Sequence, residues 1–120
     1  MIDVKAELKG TYEILNETQG FVVRLNLLEK MSYFQGHFPH LPILPAVGIG
    51  DISHYFLQEY IIRRKARLSQ MSFFKVRIPV QPQNSFLIKF KPEDDQFYIT
   101  WTLESSDQIA AEMKLQAQSY

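Results

Sequence analysis

The feature that most restricts the fold of this chain is a long apolar segment with helical signals. Residues 45–65 are predicted to form one helix, because proline suits a first turn and basic residues suit a last turn. Its apolar residues cover nearly the whole circumference: Val47, Ile49, Ile52, Phe56, Leu57, Tyr60, Ile61 and Ile62. A surface helix would keep one broad polar face, so we expect this helix to be mostly buried.

Alternation of apolar and polar residues predicts that most of the remaining chain forms strands. The alternating stretches are residues 21–27, 74–80, 86–91, 97–103 and 111–116. Five or six antiparallel strands with one apolar face each can enclose an apolar helix if the sheet curls around it. We therefore expect an α+β protein with the hotdog fold, a curved antiparallel sheet wrapped around one long central helix. A flatter α+β sandwich with the helix on one face is the alternative.

Composition limits the remaining classes of protein. The 120 residues, 46% of them hydrophobic, suit a single domain over residues 1–120. Thirteen basic residues balance thirteen acidic ones, so no net charge attracts nucleic acid or a membrane surface. The lack of cysteine excludes disulfides and thiolate chemistry. We find no secretory signal and no apolar run of the roughly 18 to 20 residues that cross a bilayer, and expect a cytoplasmic protein without membrane insertion.

The chemistry is predicted to lie in residues 33–56. Gly36 and three prolines, Pro39, Pro42 and Pro45, restrict the backbone around His37, so this histidine is expected in a stiff loop. An unperturbed imidazole has a pKa of about 6.5 and can accept a proton at neutral pH. A histidine in such a loop can equally be structural or merely exposed.

Asp51 follows His37 by fourteen residues and falls about two turns into the predicted helix, where an apolar residue would pack best. A buried carboxyl group must be paired or protonated, and a protonated one can donate a proton. Interaction with the helix dipole is the simpler explanation, although that benefit fades beyond the first turn. Gly48 and Gly50 each cost a helix interior up to about 1 kcal/mol. Something is therefore expected to approach closely: a substrate, a neighbouring strand or the helix of a second subunit.

The run Gly36-His37-Phe38-Pro39, then Pro42-Ile43-Leu44-Pro45 and Asp51, resembles the signature of 3-hydroxyacyl-ACP dehydratases. That family carries GHFPxxPxxPG before a helix with an aspartate or glutamate. Residues 74–90, with Val80, Pro82 and Asn84, are similar to the strand, turn and strand in which the family has V-x-P-G-D. The overall pattern looks most like the dehydratases of aryl polyene gene clusters.

The resemblance implies a reaction that needs no metal or cofactor. His37 would remove a proton from C2 and Asp51 would donate one to the departing 3-hydroxyl group, leaving a trans-2-enoyl thioester. Backbone N–H groups of Ala46 and Val47 would bind the thioester carbonyl. The candidate substrate-binding residues are Phe38, Ile43, Ala46, Val47, Ile49, Gly50, Tyr55 and Phe56.

The resemblance also implies two kinds of partner. One is an acyl carrier protein whose phosphopantetheine holds the acyl chain. The other is a second subunit, identical or a related dehydratase, because the family completes each site across a dimer interface. Carrier proteins are acidic, so a basic patch is expected, although these side chains can also be merely solvated. The candidate patches are Arg63, Arg64, Lys65 and Arg67, or Lys75 and Arg77.

Two departures from the family pattern keep other functions open. Ala46 stands where the family has a glycine, and Tyr55 where it usually has a glutamine. A noncatalytic subunit of a heteromeric dehydratase is one alternative, and an acyl thioesterase is another. A metal site is a third alternative, because His37, His40, Asp51 and His54 are of residue types that bind metal ions.

Overall fold

The computed structural model describes residues 2–17, 20–34, 42–62, 66–93 and 96–119. A short helix, α1, precedes two strands, and the longer α2 precedes four more. The elements are α1 (Val4–Leu8), β1 (Tyr12–Glu17), β2 (Gly20–Asn26), a 3-10 turn (Ser32–Phe34), α2 (Ala46–Phe56), a π-helical segment (Leu57–Ile62), β3 (Ala66–Val76), β4 (Ser85–Glu93), β5 (Gln96–Leu103) and β6 (Ile109–Ser119).

The six strands form one antiparallel sheet in the order β1-β2-β4-β5-β6-β3. Strands β1 and β3 are therefore its edges. A row of paired residues across the middle, Val23, Ile88, Trp101 and Ala111, is completely buried. These four residues lie on the inner face that the alternating patterns predicted, because each pattern places its apolar side chains on the same side of the sheet.

The predicted helix is confirmed over its described part, because α2 continues directly into the π-helical segment, which ends at Ile62. Residues 63–65 lie outside the description. The expectation that the helix is mostly buried fails on one side of α2. Ile49, Ile52 and Phe56 are completely buried, but the side chain of Val47 is 74% exposed. The sheet covers one side of the helix, and among the described residues the opposite side, which carries Ala46, Val47 and Asp51, is left open.

The strand predicted at residues 74–80 is the end of a longer strand, β3, which stops at Val76. Arg77 and Ile78 both donate backbone hydrogen bonds to the carbonyl of Ala110, which ends the regular pairing with β6. Pro79 has no N–H group to continue it. The carbonyl of Val80 instead accepts from Leu44 N at 2.7 Å, so this segment turns towards the start of α2.

Two elements, α1 and β1, were not predicted. Asp3 caps α1 by accepting a hydrogen bond from Ala6 N, as an aspartate at this position commonly does. Leu8 at its end is completely buried and belongs to the core. Within the described residues, no helix has the length and apolar character needed to cross a membrane.

Candidate functional site

The open side of α2 borders a cavity of about 500 Å³. Residues at spacings of three and four lie on the same face of a helix, so one face of α2 forms one wall. The helix residues in this wall are Ala46, Val47, Gly50, Asp51 and His54, and the facing residues from β3 are Met71 and Phe74.

A β-bulge in β3 brings Met71 and Phe74 to the same side of the sheet. Met71 pairs with Leu115 and Phe74 with Met113, both of which are buried on the inner face. Residues three apart would point to opposite faces of a regular strand, but the register shifts between Met71 and Phe73. The extra residue, Ser72, therefore places both apolar side chains at the cavity.

Asp51 lies in the cavity wall and is exposed to solvent in the single chain. The expectation of a buried carboxyl group is wrong for the single chain, because the described residues around the cavity leave Asp51 exposed. Apart from Asp51 and His54, the lining side chains are apolar. A second surface placed over the cavity would bury the carboxyl group among them.

The amino end of α2 lies at the same cavity and has no side-chain cap. Pro45 occupies the N-cap position in an extended conformation, and its carbonyl accepts from Ile49 N at 3.1 Å. The first N–H groups of a helix have no partner within the helix. Ala46 and Val47, which carry two of these groups, are exposed. Such an end can bind a carbonyl oxygen or an anion.

The two glycines of α2 have different environments. A Cβ at Gly48 would lie 2.8 Å from Leu44 Cδ1 and 3.1 Å from Tyr33 Cδ1, so the close approach is made by the chain's own side chains. A Cβ at Gly50 would meet only Met71 Cε, at 3.8 Å. Gly50 therefore widens the cavity, whereas Gly48 permits packing on the other side of the helix.

His37 and Phe38 lie outside the described residues, but both flanks of their segment are anchored. Ser32, in the turn before it, donates its backbone N–H to the carboxylate of Glu7 in α1. Leu44, after it, donates to Val80 O. Hydrogen bonds therefore hold the chain on both sides of the segment that carries His37.

Two buried polar atoms have no hydrogen-bond partner among the described residues, namely the Tyr33 hydroxyl and His54 Nε2. Burial raises the pKa of Tyr33 to about 12, and the charges of Asp51 and Glu7 add to this effect. Burial lowers the pKa of His54, while the charge of Asp51 acts in the opposite direction. Both side chains are therefore neutral at pH 7.

Other predicted substrate-binding residues lie away from this cavity. Ile49 and Phe56 are completely buried in the core, on the side of α2 that faces the sheet. Tyr55 packs edge-on against Phe56 and lines a separate groove beside α1. Ile43 is half-buried before the start of α2. The cavity thus brings together Ala46, Val47, Gly50 and Asp51 from the predicted set.

Three cavity residues were not predicted to bind substrate: Met71, Phe74 and His54. Alternation alone cannot detect the bulge that orients Met71. His54 carried a signal, because it follows Asp51 by three residues and so shares its helix face. Within the described part of the chain, no cluster of three or more His, Asp or Glu residues could hold a metal ion.

The first predicted basic patch cannot be placed, because residues 63–65 and the side chain of Arg67 lie outside the description. Lys75 and Arg77 of the second patch are exposed. The guanidinium group of Arg77 pairs with the carboxylate of Glu112, which also accepts from the Tyr98 hydroxyl at 2.8 Å. These two hydrogen bonds lower the pKa of Glu112. Part of the positive charge of this patch is therefore compensated.

Comparison with solved structures identifies the architecture as a hotdog fold. The dehydratase heterocomplex ApeI:P from Xenorhabdus doucetiae matches with a TM-score of 0.76 at 25% identity, covering 88% of this chain and 94% of that chain. An uncharacterized protein from Erwinia carotovora matches with a TM-score of 0.72 at 14% identity over 89% and 90% of the two chains. A hypothetical thioesterase from Streptococcus pneumoniae matches with a TM-score of 0.66 at 10% identity over 92% and 90%.

The sequence defines the family more closely. The model of the ApeI-like family, described as ApeI dehydratase, matches residues 13–114. The chain therefore belongs to the ApeI-like dehydratase family. No curated protein matches it in sequence. The predicted hotdog fold and the predicted resemblance to this group of dehydratases are both confirmed.

Proposed function

We propose that the chain dehydrates 3-hydroxyacyl groups on acyl carrier protein to trans-2-enoyl groups, in fatty acid or aryl polyene biosynthesis. The observation that carries this proposal is the position of Asp51. In a member of a dehydratase family, a carboxyl group lies in an apolar cavity beside the uncapped amino end of α2. The reaction needs both an acid and a carbonyl-binding group at the place where an acyl chain is held.

In the proposed reaction, His37 removes a proton from C2 of the acyl group. The bond between C3 and its hydroxyl oxygen breaks as protonated Asp51 gives its proton to that oxygen, so water leaves and a C2–C3 double bond forms. The N–H groups of Ala46 and Val47 would bind the thioester carbonyl, where negative charge develops. A proton returning from His37 to Asp51, directly or through water, restores both groups.

The apolar cavity suits an acyl chain. Its volume of about 500 Å³ lies within the range of small-molecule sites. Met71 and Phe74 supply apolar surface on the wall that faces α2, Val47 supplies it on the same wall as the carboxyl group, and Gly50 leaves room between them. Phe38 and Ile43 remain proposed substrate-binding residues.

A second subunit is part of the proposal. Strand β3 is an edge of the sheet, and its exposed apolar residues on the cavity side include Met71 and Val76, which are about 40% exposed. Val47 lies on the adjacent open face of α2. Exposed apolar surface beside an unpaired strand edge favours association with another chain. A partner there would cover the cavity and desolvate Asp51.

The identity of that partner separates two forms of the proposal. The solved relative at 25% identity is called a dehydratase heterocomplex, which favours a related dehydratase as the second subunit. In such a pair this chain can be the catalytic subunit or an auxiliary one. The thioesterase alternative rests on fold alone, because the hypothetical thioesterase is only 10% identical.

The experiment is an incubation of the purified chain with 3-hydroxyacyl carrier protein, alone and together with a related dehydratase. Intact mass measures the loss of one water, and release of free acid would reveal a thioesterase. We expect Asp51→Asn and His37→Ala each to reduce dehydration at least about a hundredfold. Asp107→Asn is the matched control, because Asp107 is an exposed turn residue with a φ of 62°, which asparagine also adopts.

Unchanged turnover in both site variants would contradict the assignment of His37 and Asp51. Turnover that depends on the related dehydratase and is unaffected by these substitutions would instead support the auxiliary role. Carrier-protein docking is tested by Lys75→Glu, which we expect to weaken binding and reduce its dependence on salt. Identical binding curves for this variant and the original chain would exclude Lys75 from the docking surface.

A further inference from the structure

Gly48 is the place on α2 against which the chain packs both before and after the segment that carries His37. Tyr33 precedes this segment, residues 35–41, and Leu44 follows it, and both side chains are buried. A Cβ at Gly48 would lie 2.8 Å from Leu44 Cδ1, 3.3 Å from Leu44 Cγ and 3.1 Å from Tyr33 Cδ1. These two side chains therefore fill the space that any other residue type at this position would need.

Backbone hydrogen bonds attach each flank of the segment to the rest of the fold. Phe34 N donates to Met31 O at 3.0 Å and closes the 3-10 turn before the segment. Leu44 N donates to Val80 O at 2.7 Å after it. The flanks are thus held at their far sides by these bonds, and the contact with Gly48 sets how closely they approach α2.

Gly48 also lies within the part of α2 to which the proposed chemistry is assigned. The N–H groups proposed to bind the carbonyl belong to the two residues immediately before it, and Asp51 follows it by three residues. Residues three apart are neighbours on a helix. Covalent geometry connects this place to the base, because His37 follows Phe34 by three residues and their Cα atoms can be at most about 11 Å apart.

We propose that Gly48 is a positioning residue, which keeps His37 at the distance from α2 that proton removal from C2 requires. This inference rests on the proposed function, because the role of His37 as the base comes from it. A methyl group at Gly48 would force Leu44 to shift and Tyr33 to give way by a few tenths of an ångström. The base is attached to both flanks and would move with them, and proton transfer is sensitive to small displacements.

Gly48→Ala tests this inference, together with Leu44→Val as a compensating substitution. Valine lacks the Cδ1 atom that the new methyl group would meet, and it suits the extended conformation favoured before Pro45. We expect kcat for dehydration to fall about tenfold in Gly48→Ala. The double variant should recover about fivefold of this loss, although Leu44→Val alone should not raise kcat.

Two further kinetic and stability measurements separate positioning from a general loss of structure. Urea denaturation establishes that each variant is folded under the conditions of the assay. The value of kcat/KM should fall by the same factor as kcat, because the new methyl group contacts none of the side chains that line the cavity. The assays use the form of the protein that dehydrates, alone or with the related dehydratase.

A measurement on His37 itself does not depend on activity. The chain has three histidines, so the ring resonances of His37 in a nuclear magnetic resonance spectrum can be assigned with His37→Ala. Gly48→Ala should shift these resonances. Adding Leu44→Val should return them most of the way to their original positions, because it restores the space beside the helix.

Full activity of Gly48→Ala with unchanged His37 resonances would overturn the inference, and so would a double variant no more active than Gly48→Ala. If Gly48→Ala does not fold, Tyr33→Leu replaces it, because this substitution withdraws the ring from Gly48 without adding volume. An unchanged kcat in folded Tyr33→Leu would also overturn the inference. A lack of dehydration by the original chain, with His37 resonances that shift and return as expected, would contradict the proposed reaction and leave the positioning by Gly48 standing.

Discussion

Trp101, in the middle of the sheet, donates a hydrogen bond from Nε1 to the Oγ of Ser53 on α2 at 2.8 Å. Ser53 in turn donates to the carbonyl of Ile49 at 2.8 Å, and all three residues are completely buried. The first bond holds the Ser53 side of α2 against the sheet, whereas the second lies within the helix. The side of the helix opposite Ser53 is therefore the one that carries Asp51 to the cavity.

Removal of the Ser53 hydroxyl should destabilise the protein. In Ser53→Ala the indole N–H remains buried without a partner, which we expect to lower the free energy of unfolding by about 1 to 3 kcal/mol. Urea denaturation measures this change. The double variant with Trp101→Phe should lose less than the sum of the two single variants, because the second substitution removes the orphaned donor. Additive losses would show that the bond contributes little.

The two glycines of α2 should respond differently to alanine. Gly50→Ala removes a glycine from a helix interior and adds a methyl group in ordinary contact distance of Met71, so stability should rise by about 0.5 to 1 kcal/mol. Gly48→Ala should gain less or lose stability, since its methyl group would crowd Leu44 and Tyr33. Chemical denaturation of the two variants measures the difference. Equal effects would contradict the different environments assigned to these positions.

The N–H group of Ala46 can be removed with little disturbance of the helix. Ala46 is the first residue of α2, where proline is favoured, and Pro45 before it has the extended conformation that a following proline requires. We expect the free energy of unfolding of Ala46→Pro to differ from that of the original chain by no more than about 0.5 kcal/mol. Its kcat for dehydration should fall by about a hundredfold if this group binds the carbonyl.

Ala46→Ser, which keeps the N–H group, is the control for the change of side chain. Comparable losses in the serine and proline variants would assign the effect to the side chain instead. An unchanged kcat in the proline variant would remove Ala46 from the carbonyl-binding site.

His54 should make stability depend on pH. Burial lowers its pKa in the folded state, so below pH 6.5 the unfolded chain binds a proton more readily than the folded one. Stability contributed by the neutral ring is therefore present above pH 6.5 and lost as the pH falls from 6.5 towards the lowered folded pKa. Urea denaturation at several pH values should show a shallower acid decline in His54→Gln than in the original chain. Superimposable curves would contradict this contribution.

Local sequence patterns predicted the strands where pairing is regular. The alternations at residues 86–91 and 97–103 fall within β4 and β5, because each such pattern corresponds directly to one buried face. The prediction failed at residues 77–80, where the carbonyl of Ala110 and the Leu44 N–H replace ladder partners. Hydrogen bonds of this kind join distant parts of the chain, so no local pattern reveals them.

The chemical character of individual side chains predicted part of the candidate site. Asp51 stood out as a carboxyl group among apolar helix residues, and the structure places it in the cavity wall. Ile49 and Phe56 were expected there for their apolar character, but the same character places them in the core. Sequence shows that a helical residue is apolar, whereas the direction in which it points depends on where the sheet lies.

The amino-acid sequence by itself determined the balance of strands and one main helix, the family signature and the candidate acid, because these follow from periodicity and residue type. Tertiary structure alone decided which side of α2 stays open, since Ile49, Ile52 and Phe56 pack in the core and Ser53 bonds to Trp101 of the sheet. It also decided that Met71 and Phe74 share a face, through a bulge that breaks the two-residue period. Both depend on contacts between residues far apart in the chain, which residue order does not specify locally.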